Sequence, residues 1–223
     1  MLKYPISTLL YLAKINIKDK IQDALKLHNN IDVRITITVK DKDGKIIKVH
    51  KQKSHSFVAN FMYILGSFLA DTQYNWTDTS GNVEQYYSGG APLIYTLCAT
   101  CSSLGSCGIV IGTGTATPTP QDYKLGNQIA NGTGSGQMQY NSPSFTTPAV
   151  SGNTTSMKIT QSFQNQSGAP ITVTEVGIQA LTTNNTNNGT TDYVLIVHDL
   201  LSSPITVANL SVLEITYTIS VTT

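Results

Sequence analysis

From residue 31 to residue 39 the chain alternates strictly. Ile31, Val33, Ile35, Ile37 and Val39 are apolar, and Asp32, Arg34, Thr36 and Thr38 between them are polar. A period of two puts the apolar side chains on one face of an extended strand, which β-branched residues suit, and a helix would scatter them around its circumference. Asp41-Lys42-Asp43-Gly44-Lys45 follows as a turn, with Asp-Gly expected to supply positive φ values, and residues 46–51 return as the partner strand.

The same logic extends beyond Pro92. Short apolar runs occupy 93–99, 108–112, 157–163, 171–180, 193–201 and 212–221, and Ser, Thr, Asn, Gly and Pro fill the gaps. Strands of this length between turn-rich loops signal a sandwich or barrel. With the hairpin, about eight strands are available, which suits two packed four-stranded sheets. In the last run Leu213, Ile215, Tyr217, Ile219 and Val221 share one face, and Glu214, Thr216, Thr218 and Ser220 share the other. Residues 194–197 are continuously apolar and are expected to be buried on both sides. Between Ile171/Val173 and Val176/Ile178 the apolar phase flips, which predicts a bulge near Thr174 and Glu175.

One stretch breaks the β pattern. Phe57, Phe61, Ile64, Leu65 and Phe68 fall on one helical face, predicting a helix over about 56–70 that starts at Ser54 or Ser56 and packs its stripe into the core. Residues 71–90 read as a polar loop, and 131–155 and 182–191 as exposed, flexible Asn/Thr/Gly tracts.

Charge divides the chain. Only 12% of its 223 residues are charged, 14 basic against 13 acidic. Residues 1–53 hold twelve of the basic residues and five acids, a balance of +7, whereas 54–223 hold only Lys124 and Lys158 against eight acids, a balance of −6. This asymmetry suggests a basic arm or face with its own partner, against the plainer reading of a solvated Lys-rich face. The near-zero total argues against a protein that coats nucleic acid. No run of 18 uncharged apolar residues exists, so no helical membrane span is expected. Residues 4–13 are apolar, but the run is short and no small-residue cleavage site follows it, so the chain is expected to stay in the cytoplasm. Residues 7–28 partly fit a helical stripe, read as an interfacial or subunit-docking arm. The organisation expected is a basic arm or helix over 1–30 and a β domain over 31–223.

Candidate chemistry is sparse. Cys98, Cys101 and Cys107 lack the second close pair that a zinc site needs, and His28, His50, His55 and His198 are scattered. A disulfide within the trio and plain burial both stay open. His198-Asp199 ends an apolar strand, but no nucleophile elbow accompanies it, so a satisfied structural histidine is preferred. Glu175 is an acid inside an apolar strand with no second carboxylate at matched spacing, and is read as hydrogen-bonded or outward-facing. Gly112 and Gly114 superficially offer a phosphate cradle, but no Gly-Lys-Ser/Thr follows, and Pro118 and Pro120 make a stiff connector the better reading. Trp76 is a sugar-stacking platform or, preferably, a loop anchor. Glycosylation sequons begin at Asn75, Asn131, Asn153, Asn165, Asn184, Asn188 and Asn209, a number that a Thr/Asn-rich chain generates by chance. No catalytic, cofactor-binding or metal-binding set rises above background, and no enzymatic activity is expected.

Four segments taken together carry a resemblance. They are Asp41-Lys42-Asp43-Gly44-Lys45 followed by Ser54-His55-Ser56-Phe57-Val58-Ala59-Asn60-Phe61; Ile109-Val110-Ile111-Gly112-Thr113-Gly114-Thr115 with Pro118, Pro120, Asp122 and Tyr123; Thr174-Glu175-Val176-Gly177-Ile178; and residues 198–206 running into 212–221. With its length and its Thr/Asn-rich surface, the chain resembles a group of structural proteins of archaeal viruses and phages, and within it the penton-base (vertex) proteins of turreted icosahedral viruses. The resemblance spans roughly 31–221 and rests on loop and core features.

That resemblance implies a viral jelly roll. Five copies would form a homopentamer at a capsid vertex, located in the virion and assembled in the host cytoplasm. A turret or spike protein would sit outside it. The major capsid protein and an inner viral membrane, or a membrane-anchored protein, would meet it through the basic residues 1–53, with no specific nucleic acid and no cofactor. Two other structural readings stand beside it. One is a tail or nozzle adaptor ring of a spindle-shaped virus or phage. The other is a carbohydrate-binding host-recognition spike, which predicts clustered aromatics on a sheet face.

Overall fold

The alternating run forms β1 (Asn30–Lys40) and its return strand β2 (Ile46–Lys53), paired antiparallel from Arg34↔Lys53 to Lys40↔Ile46. Val33, Ile35, Ile37 and Val39 are at most 5% exposed, so the face predicted to be apolar is the one that packs. In the connecting turn only Gly44 takes positive φ (81°), while the Asp41 carboxylate accepts the Asp43 and Lys45 amides. Asp43 is therefore an ordinary turn residue, and the left-handed position falls to glycine alone.

The computed structural model describes residues 30–54, 56–70, 74–85, 99–101, 104–184 and 190–223. Among them are one helix, α1 (Ala59–Ala70), and nine strands beyond the hairpin: β3 (Asn75–Thr77), β4 (Val83–Gln85), β5 (Gly108–Gly112), β6 (Gln139–Tyr140), β7 (Ser144–Ser151), β8 (Thr154–Gln164), β9 (Ile171–Asn184), β10 (Thr190–Val207) and β11 (Val212–Thr222). The fold is all-β with antiparallel sheets and one short helix. The arm expected over 1–30 and the strand expected over 93–99 fall almost wholly outside the described residues.

Two main sheets share the core. The larger runs β2-β1-β11-β8-β6, with β7 also on β8, and the smaller runs β10-β9-β5. Buried residues of both merge into one cluster that includes Phe163, Tyr140 and Tyr217, Tyr140 lying edge-on to Phe163 at 4.7 Å. Setting aside the short β3, β4 and β6 leaves eight strands, but they divide five and three rather than four and four. Hydroxyls line the outer face of β11 as expected, and Thr160 and Thr216 hydrogen-bond across the strands at 2.9 Å.

Three local expectations need correction. Residues 71–90 contain the β3–β4 hairpin, whose Trp76 is 2% exposed. Residues 144–151 form β7, although all eight are exposed. The phase flip in β9 comes from no bulge in β9. Leu200 pairs with Glu175 and Ile205 with Val173, so the extra residues lie in β10, opposite Thr174. β9 changes phase because it becomes buried on both faces from Glu175 onward. Residues 194–197 are all buried, with Ile196 as the extra residue of a second β10 irregularity.

Helix α1 starts without a serine cap. Ser54 Oγ donates to Asp199 instead, and the Ala59 amide donates to Pro120 O. Phe57, Phe61 and Ile64 pack on the core, and the Phe57 and Phe61 rings stack at 4.2 Å. Leu65 is 36% exposed and leaves the stripe. Asn60 ties the helix to both neighbours, donating to Thr77 O and Leu195 O and accepting from the Thr77 amide.

Candidate functional site

Glu175 is the most unusual residue of the core, a carboxylate 1% exposed in a strand of apolar neighbours. Burying an anion is costly unless donors surround it. Gly112 of β5 pairs directly with Glu175 across the strands, so the two share a face, and the missing side chain leaves room for the carboxylate. Three backbone amides close on it. Gly114 N–H (2.8 Å) and Asn127 N–H (2.7 Å) donate to Oε1, and Gly126 N–H (2.9 Å) donates to Oε2. A Cβ on Gly114 would sit 2.5 Å from Oε1, and one on Gly112 would collide with the same atom. The glycine loop is thus an anion cradle after all, and its anion is the chain's own carboxylate.

His198 completes the arrangement from β10. It pairs with Gly177 and therefore lies on the same face as Glu175, one diagonal step away. Its Nε2 meets Glu175 Oε2 at 2.9 Å and its Nδ1 meets Asp122 Oδ2 at 2.6 Å. Asp122 is held in turn by the Thr119 amide and hydroxyl. Burial alone would push the Glu175 carboxyl up, but His198 and the three amides outweigh it and bring it down to about 2. Burial also opposes charge on His198, yet the hydrogen bonds and charges of Glu175 and Asp122 raise its pKa above the ordinary value. For Asp122 burial is likewise outweighed, by Thr119 and His198, and its pKa falls. The arrangement favours the charged imidazole, set between two carboxylates that each have their own donors.

The next residue looks the other way. Alternation sends Asp199 into the space between the sheets, where it accepts from Ser54 Oγ (2.6 Å) and Tyr217 Oη (3.1 Å). His198 and Asp199 are therefore no catalytic pair. Both His198 ring nitrogens are committed to carboxylates, and the Ser54 hydroxyl bonds an acid on the opposite face. A charge-relay arrangement needs one imidazole nitrogen facing the nucleophile, and this geometry does not offer it. The preference for a satisfied histidine and a hydrogen-bonded Glu175 matches these contacts.

The remaining candidates separate. Cys101 and Cys107 form a disulfide with Cα atoms 5.9 Å apart, and Cys98 lies outside the described residues, as do His28 and His55. His50 contacts Gln52 on its own strand. Among the described residues no group of three His, Cys, Asp or Glu could hold a metal ion. Trp76 is buried in the core, so it anchors its hairpin and offers no stacking platform. Of the sequon asparagines, Asn165 is fully buried and bonds Ala169 O and Val207 O, which removes it as an acceptor, while Asn75, Asn131, Asn153 and Asn209 are exposed. A polar cleft of about 360 Å³ adjoins the cradle at Gly126 and Asn127, with Lys124 as its only charged lining residue. Its amides are tied to one another, Gln179 donating to Gln128 and Gln128 to Gly105 O.

Sequence reading singled out Gly112, Gly114, Glu175, His198 and Asp199 one by one. It missed that they meet, it missed Gly126 and Asn127 altogether, and it read Tyr217 only as a core residue of the last strand. A usable signal existed, since two ionisable residues in adjacent apolar strands must find partners. Three of the four segments that carry the resemblance meet here, as the Gly112–Gly114 loop with Asp122, Glu175 and His198 lie within one connected set of hydrogen bonds, while Ser54 of the remaining segment bonds Asp199 on the opposite face of β10. No family model matches the chain, and no curated protein and no solved structure matches it.

Proposed function

We propose that this chain is a structural subunit of a virion, a jelly-roll penton base that forms the five-fold capsid vertex and supports a turret or spike. The observation that carries the reading is the meeting of three of the four resemblance segments in a buried network whose chemistry is structural. An anion cradle closed on the chain's own Glu175 holds loop 112–128 to β9 and β10. Two further features favour it. Seven of the nine Lys and Arg among the described residues lie on the β1–β2 hairpin, at one edge of the larger sheet, where they would face a capsid or anionic lipid layer. The other surfaces carry Ser, Thr and Asn, which lowers charge repulsion between packed copies.

In this reading the hairpin and the basic residues leading into it meet the major capsid protein and the inner membrane layer, and loops at the opposite end carry the turret. Negative-stain images of the purified protein or of virions are expected to show five-fold assemblies, with no hydrolytic activity in the preparation. Six-fold or twelve-fold classes would overturn the vertex assignment in favour of a tail or nozzle adaptor ring.

A further inference from the structure

The core-facing side of the larger sheet is not buried along its whole length. Along β1, exposure is 1% at Val39, 0% at Ile35, 5% at Val33 and then 66% at Ile31. β11 pairs Ile31 with Val221 and Val33 with Ile219, and both partners are only partly buried, whereas Tyr217, one row further in, is 0% exposed. On β8 the sequence is the same, from Ile159 at 7% to a half-buried Met157 and an exposed Thr155. β7 closes the row with Phe145, opposite Ile159, 47% exposed, and Val150, opposite Thr155, 75% exposed.

Burial therefore falls away toward the row Ile31–Val221–Thr155–Val150 on β1, β11 and β8, and on the edge strand β7 it is already gone at Phe145, two rows further in. Ile31, Phe145, Val150, Met157, Ile219 and Val221 form a mostly apolar, uncharged strip, with Thr155 set between Val221 and Val150, on the side where side chains elsewhere pack inward. Scattered exposed apolar residues are ordinary, but a contiguous strip marks an interaction surface.

We propose that this strip binds the N-terminal segment of a second copy of this chain, residues 4–13. Three observations select that occupant. Tyr4-Pro5-Ile6-Ser7-Thr8-Leu9-Leu10-Tyr11-Leu12-Ala13 contains no charge, which suits a strip whose own residues are uncharged. The chain enters the fold at Ile31, in the strip itself, so every subunit carries its arm and its receiving surface at the same edge. Sixteen residues separate Ala13 from Asn30, up to about 50 Å of extended chain, enough to reach an adjacent subunit. Head-to-tail exchange of such arms closes a ring when the rotation closes. The proposal rests on the self-assembling subunit proposed above, and it names the contact that holds neighbours together.

Complementation with the full-length protein tests it by sedimentation. Val150→Lys combined with Ile31→Lys spoils the strip at two exposed positions, where folding is expected to survive; far-UV circular dichroism checks this. Deleting residues 1–13 removes the arm and leaves the strip. Each variant alone is expected to lose association by about a hundredfold. Mixed together they are expected to form a one-to-one pair and nothing larger, because only one strip and one arm remain compatible. Oligomers that survive both changes overturn the proposal. So does a deletion that lowers thermal stability without changing mass, the mark of an arm docked on its own subunit, and so does a wild-type protein that stays monomeric. Rings of six-fold or twelve-fold symmetry that obey the complementation keep the arm exchange and remove the vertex assignment. Five-fold rings indifferent to the variants do the reverse.

Discussion

Gly114 and Glu175 show how one missing methyl group supports a buried charge. With Gly114→Ala the new Cβ would lie 2.5 Å from Glu175 Oε1, and either the amide or the carboxylate must move. We expect a loss of about 2–4 kcal/mol, measured by urea unfolding. Glu175→Gln removes the charge opposite His198 and sets an NH2 group among three amide donors, for an expected cost of about 3 kcal/mol. The pH dependence follows from the two shifts. Glu175 falls from 4.5 to about 2 on folding, so its contribution is complete above pH 4.5 and is lost as pH drops toward 2, by about 3 kcal/mol in all. The pKa of His198 is raised above 6.5, so its contribution is complete below pH 6.5 and is lost as pH climbs past the folded value. The network is strongest between these limits, on the mildly acidic side. Unfolding free energy followed from pH 2 to 9 is expected to show both limbs, and Glu175→Gln is expected to flatten the acid limb and shift the alkaline one downward. An unchanged acid limb would refute the assignment.

Polar side chains that bridge elements act at the next scale. Gln161 of β8 accepts from the Ile109 amide of β5 at 2.7 Å and donates to Asn141 O, so one buried amide joins the two sheets. Asn60 does the same for α1, β3 and β10. Asn60→Ala removes a partner from one buried carbonyl, at Leu195, and from two half-buried backbone groups of Thr77, and is expected to cost about 2–3 kcal/mol, with faster hydrogen exchange confined to β3 and β4. At the other extreme β7 buries none of its eight residues and pairs on one side only. Its amides are expected to exchange through local opening, well before those of β1, β9 and β11. Equal protection across these strands would count against that ordering.

For the whole molecule, the hairpin belongs to the domain and cannot be treated as part of a detachable arm. β2 forms one edge of the larger sheet, and its Gln52 binds the β10 excursion, donating to Leu200 O and accepting from the Ser202 amide. A chain lacking residues 1–28 is therefore expected to keep its circular dichroism and cooperative melting, while deletion through residue 53 is expected to abolish folding. Loss of folding in the shorter deletion would show that the arm is part of the core.

What the residues determined alone were the strands with local instructions. The alternation of β1 and β11, the Gly44 turn and the run at 194–197 all specify their structure within a few residues, because side-chain period and turn chemistry are local properties. β7 and the β3–β4 hairpin escaped notice, since short polar strands are stabilised by the neighbour they pair with and not by their own pattern. The bulge was placed on the wrong strand for the same reason, because a phase change in one strand does not say which partner carries the extra residues. The cradle lay further out of reach. Its parts come from positions near 112, 122, 126, 175 and 198, and only the pairing of β5, β9 and β10 brings them within hydrogen-bonding distance. The sequence could demand that Glu175 and His198 be satisfied, because an unpaired buried charge is untenable. Tertiary structure alone decided that they satisfy each other.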